Sequence, residues 1–167
     1  MNQTRKIALC GMMSALSVVI MAIGAVLGIG IYAAPMLAGL LLLPLGITLG
    51  RKEQLLVWIS ASLLCLMLIG DWEQNLMYLC LFGPYPILYP LFQKLPKGLR
   101  LMAKLAFFNL VTVAAEALVL LVLAPEPLSA GMILALLAVG NLTFLLYDRL
   151  IPLYALILHK HLNRIFK

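Results

Sequence analysis

Charge is what this chain has least of. Only 11% of its 167 residues are Asp, Glu, Lys or Arg, and only 6 are acidic. An ordinary soluble domain carries about 25% charged and about 45–50% apolar residues. Here the apolar share is 65%. A soluble fold of this size cannot hide so much apolar surface, so lipid is the expected solvent. Cysteine is scarce too: Cys10, Cys65 and Cys80 stand singly inside apolar runs. With no C-x-x-C pair and no even framework, neither zinc nor disulfides are indicated. The sequence also lacks H-E-x-x-H, G-x-S-x-G and a Walker loop. No catalytic residue, metal ligand or cofactor is assigned, and no enzyme is expected. His159 and His161 lie in a basic tail and read as solvated.

The net charge is +6. Basic residues at the cytoplasmic edge of a membrane account for it. No basic face has interleaved aromatics for base stacking, so nucleic acid is not an expected partner. The apolar run from Ile7 to Ile31 is too long for a cleaved signal and reads as a retained span.

A spanning helix needs about 20 mostly apolar residues. Six stretches qualify or come close: Ile7–Gly30, Ala33–Leu49, Leu55–Ile69, Asn75–Phe92, Leu101–Leu123 and Met132–His159. The second and third are short enough for re-entrant geometry. The fourth carries Pro84, Pro86 and Pro90 and is expected to bend or break. The expected fold is an all-α integral membrane protein: one compact bundle of six transmembrane helices over residues 1–167.

The basic residues sort by side under six alternating spans. Arg5 and Lys6 precede span one; Arg51 and Lys52 separate spans two and three. A cluster around Pro96 (Lys94, Lys97, Arg100 and Lys104) separates spans four and five. Lys160, Arg164 and Lys167 follow span six. The opposite loops hold Asp71, Glu73 and Glu126 and no Lys or Arg. The positive-inside rule then puts both termini in the cytoplasm. Arg149 alone breaks the pattern.

Four places carry candidate function. Ala8, Gly11 and Ala15, with Ala22 and Ala25, put small residues on one face of span one. Such a face lets another helix approach closely, either within the protein or on a partner. Asp71, Trp72, Glu73 and Asn75, with Tyr78, gather carboxylates, amide and aromatics at one loop. They suit a small ligand, or an interfacial aromatic belt. Glu116 sits mid-span on one face with Asn109 and Thr112. An intramembrane carboxylate is costly and faces a cavity or a partner. Ligand contact and a neutral interhelical hydrogen bond both remain open for it. Asn141 and Thr143 add polar groups in span six. Asp148 and Arg149 read as mainly structural, with Arg149 snorkelling to headgroups.

Arg5-Lys6-Ile7-Ala8-Leu9 runs into Ser14-Ala15-Leu16-Ser17-Val18-Val19. Phe82-Gly83-Pro84-Tyr85-Pro86-Ile87 is followed by Lys104-Leu105-Ala106-Phe107-Phe108-Asn109. Gly140-Asn141 precedes Phe144-Leu145-Leu146-Tyr147-Asp148. On these features, and its six-span size, the whole chain resembles the substrate-binding (S) component of an energy-coupling-factor (ECF) transporter. Among these it is most similar to small members from Gram-positive bacteria. The resemblance implies a multi-pass protein of the bacterial cell membrane that captures a vitamin, a precursor or a similar micronutrient. It also implies a membrane T component with two ATPase subunits as partners. Several S components carry Ala-x-x-x-Ala as a docking motif in span one; this chain has Gly11-x-x-x-Ala15. The substrate-binding residues expected are Asp71, Trp72, Glu73, Asn75, Tyr78, Asn109, Glu116 and Asn141. The rival expectations are a ligand-free membrane scaffold or assembly protein, and a small intramembrane enzyme, which would need paired catalytic groups at one depth.

Overall fold

The structure, a computed structural model, describes residues 3–28, 32–123 and 130–165, with side chains at 3–28, 32–119, 121 and 131–158. Gly30, Ile31, Glu126 and Lys167 lie outside the described residues, as do the side chains of His159, Lys160, His161 and Arg164. The described chain is helical throughout its regular elements, with no strand among the described residues.

The helices are α1 (Gln3–Leu27), α2 (Ala33–Leu40), α3 (Leu42–Thr48), α4 (Arg51–Leu68), α5 (Trp72–Met77), α6 (Tyr85–Phe92), α7 (Lys97–Leu123) and α8 (Ala130–Ile165). A π-helical turn, Tyr78–Phe82, joins α5 to α6. They group into six rods matching the six expected stretches. Rods one, three, five and six are single helices; rod two is α2 with α3; rod four is α5, the π turn and α6. Three helical segments are long and apolar enough to cross a membrane: Gln3–Leu27, Lys97–Val119 and Gly131–Leu158. The outer surface is apolar too, with Ile7, Val26, Met67, Leu110 and Leu121 well exposed. That exposed belt is what a membrane-associated helical protein presents.

Proline chemistry explains the breaks. Rod two interrupts at Leu41, three residues before Pro44, whose nitrogen has no hydrogen for the ladder. In rod four the Gly83 N–H reaches back five residues to the Tyr78 carbonyl at 2.9 Å, which sets the π turn. Pro84 then starts α6, and the N–H groups of Ile87 and Leu88 both point at its carbonyl at 3.0 Å. Gly50, at φ +113°, turns the chain from α3 into α4.

Two kinds of core result. Around α1, α2 and α4 the buried groups are small or flexible: Met21, Ala34, Ala38, Ala61 and Cys65, with Tyr78. A Cβ at Gly24 would collide with that of Ala34, so α1 and α2 touch nearly backbone to backbone. The other core is aromatic. Phe108 stacks on Phe144 at 4.7 Å between ring centres, and Tyr85 meets Phe144 edge-on at 4.9 Å. Such pairs add about 0.5–1.5 kcal/mol each beyond their buried area.

The expected small face of α1 divides. Ser14, Ser17, Met21 and Gly24 form the buried stripe. Ala8, Gly11 and Ala15 are exposed, and nothing lies within 4 Å of a Cβ built at Gly11. Ala22 and Ala25 are half-buried against the small-residue core.

Candidate functional site

At the Trp72 end, several of the expected site residues have structural partners. Asp71 caps α5, its Oδ1 accepting the Gln74 N–H at 3.0 Å. The buried Asn75 amide donates to the carbonyls of Ile69 at 2.8 Å and Cys65 at 3.2 Å, closing the end of α4. Gln74 is buried beside it and donates from Nε2 to the Met21 carbonyl of α1 at 2.6 Å. Tyr78 is fully buried in the small-residue core. Its hydroxyl and that of Ser17 are neighbours that do not close a hydrogen bond.

Asn109 and Asn141 serve each other. Each Nδ2 donates to the other's Oδ1, at 3.0 and 2.9 Å, and each also donates to a carbonyl of its own helix. All four amide hydrogens are used, so the pair clips α7 to α8. Thr143 bonds back to Val139 in its own helix at 2.9 Å.

Three of the expected residues stay free. Trp72 is 47% exposed. Glu73 and Glu116 are half-buried, and neither has a hydrogen-bond or ion-pair partner among the described residues. The two carboxylates lie near enough to Tyr32, which sits just before α2, to act on its charge. Burial pushes the Tyr32 phenol above its ordinary pKa, and the nearby carboxylates of Glu116 and then Glu73 push it further. Phe108, Thr112 and Glu116 lie four residues apart along one face of α7. A Cβ at Gly140 would stand 3.1 Å from Phe108 Cζ and 3.3 Å from the Tyr32 hydroxyl, so Gly140 leaves room for both rings. Thr112 is buried, and its hydroxyl has no partner among the described residues. Tyr32, Glu73 and Glu116 thus share one electrostatic neighbourhood, with the Thr112 hydroxyl one turn from Glu116 on the same face of α7. No three His, Cys, Asp or Glu side chains converge as a metal site among the described residues.

A second polar centre lies deeper. Lys104 Nζ is 2.6 Å from Asp148 Oδ1, and the same oxygen accepts the Tyr85 hydroxyl at 2.5 Å. The Lys104 ammonium also stands 4.7 Å from the centre of the Tyr89 ring, a cation–π contact. Lys104 is only 4% exposed. This corrects the sequence reading, which put Lys104 in the basic cluster around Pro96. Lys94 and Lys97 are exposed, and Arg100 donates to the carbonyls of Gln93 at 2.9 Å and Leu95 at 3.1 Å. Lys104 lies seven residues beyond Lys97, about 10 Å further along α7. That depth, with a lone Asp in span six, was the available signal.

No protein-family model, characterised protein or solved structure matches this chain.

Proposed function

We propose that this protein is a membrane-embedded binding subunit that captures a small cationic or neutral micronutrient at the Trp72 end. The observation that carries the reading is the pair Glu73 and Glu116. Two carboxylates from different helices lie near Tyr32 and near each other, and neither has an ion-pair partner among the described residues. A carboxylate held in a span without a partner is costly, and such groups mark ligand or ion sites. A bound cation would remove that cost, with Thr112 offering a hydroxyl and Trp72 a cover.

The reading extends to an ECF-type importer of the bacterial cell membrane. Six helical rods and the one-sided Lys and Arg residues support six spans with both termini in the cytoplasm. The exposed Ala8, Gly11 and Ala15 face supports docking on a T component, whose two ATPase subunits would supply the energy. Asp71, Asn75, Asn109 and Asn141 then frame the site rather than touch the ligand.

The test is a ligand screen by thermal shift on detergent-purified protein. A ligand that binds only the folded state raises Tm by mass action. An amine-bearing vitamin or precursor is expected to raise wild-type Tm, and Glu116→Gln to fold normally and lose the rise. A Tm unmoved by every micronutrient tried rejects the reading and leaves the ligand-free scaffold.

A further inference from the structure

A cavity of about 220 Å³ opens at the opposite end of the bundle, between α3, α4, α6 and α8. Its walls are mostly apolar, including Leu43, Ile47, Ile87 and Ile151, and Arg51 is the one charged residue in its lining. Gln54 lines it too and is only 3% exposed, yet its side-chain amide has no hydrogen-bond partner among the described residues. Gly46 makes the place for that amide: a Cβ there would stand 2.6 Å from Gln54 Oε1. The Arg51 guanidinium is exposed and has no carboxylate partner among the described residues. The site therefore has an apolar trough, a neutral amide donor and acceptor in its wall, and a cation without a carboxylate partner among the described residues at its rim.

The geometry points to an anionic phospholipid as the occupant. Its phosphate pairs with Arg51, its glycerol and ester oxygens meet the Gln54 amide, and one acyl chain lies on the apolar walls. Water is a poor occupant, because an ordered water needs two to four polar partners and most of these walls offer none. Basic sites between spans on the cytoplasmic side are where anionic headgroups bind. Arg51 belongs to the basic side of the chain. The inference rests on the membrane placement proposed above and not on transport.

The test is native mass spectrometry of the detergent-purified full chain with phosphatidylglycerol or phosphatidylcholine of identical chains. Both lipids offer a phosphate to Arg51, but the choline ammonium offsets its charge, so phosphatidylglycerol adducts should outnumber phosphatidylcholine adducts by about fivefold. Arg51→Gln should erase that preference, while Lys52→Gln, next to it but outside the lining, should keep it. Ile47→Trp, at a position 43% exposed, should block the trough and lower both adducts without disturbing the core. Equal retention of the two lipids by the wild type overturns the inference. So does a preference that survives Arg51→Gln, or displacement of the lipid by equimolar glycerol phosphate, which would mean a site for a small soluble anion. Recovery of folded protein without detergent would sink the membrane placement itself, and is scored separately.

Discussion

The hydroxyl of Tyr147 donates to the backbone carbonyl of Phe82 at 3.0 Å. In an uninterrupted helix that carbonyl would receive the N–H of residue 86, and residue 86 is proline. A tyrosine from α8 thus supplies the hydrogen that the proline lacks. Gly39 permits the meeting, because a Cβ there would collide with the same carbonyl and stand 2.6 Å from the Tyr147 hydroxyl. Tyr147→Phe keeps the edge contact with the Phe82 ring but strands a buried carbonyl. The expected loss is about 1–3 kcal/mol of stability, read as a lower Tm in detergent. An unchanged Tm would mean that the carbonyl finds another donor.

Removing one member of the Lys104–Asp148 pair leaves a buried charge without its partner. Lys104→Met alone should destabilise by about 3–5 kcal/mol. Lys104→Met combined with Asp148→Leu should recover most of that, since apolar pairs of similar volume often replace buried ion pairs at no cost. Equal damage in the single and double variants would show that Asp148 matters through Tyr85 rather than through Lys104.

Small residues on the two faces of α1 should respond oppositely to enlargement. Gly11→Leu and Ala15→Leu extend into open space and should leave Tm unchanged while weakening co-purification with a T component. Ala8→Leu belongs to the same set. Gly24→Leu would collide with Ala34 and should prevent a stable fold. Normal co-purification of all three exposed variants would remove α1 as the docking face.

Topology is checked by thiol labelling on a background without Cys10, Cys65 and Cys80. Gly70→Cys and Lys97→Cys are both exposed positions. The first should label from outside intact cells and the second only after lysis. Labelling of both from one side would end the six-span arrangement.

The rods and the break in rod four were legible in the sequence because they follow from local chemistry. Apolar run length marks a helix, and Pro84 and Pro86 mark where the ladder of rod four fails; the break before Pro44 in rod two was not foreseen. The site was legible only in part. Glu116 stood out because a lone carboxylate among apolar residues is conspicuous wherever it lands, and Glu73 because it belongs to the polar run Asp71–Asn75. Asn109 and Asn141, 32 residues apart, looked equally free. Only the packing of α7 on α8 reveals that they use up each other's hydrogens. Tyr32 was overlooked for the converse reason. A tyrosine in a short connection is unremarkable until Gly140 and Phe108, from rods five and six, close around it.

The π turn also has a consequence for phase. Tyr78 and Tyr85 are seven residues apart, and a regular helix would put them on one side. Instead Tyr78 faces the small-residue core and Tyr85 the aromatic one. The turn works as a gear change that lets one rod mesh with both halves of the bundle. Deleting a single residue between Tyr78 and Phe82 would turn everything downstream by about 100°. Tyr85 would leave Asp148, and the two halves would no longer share a common shaft.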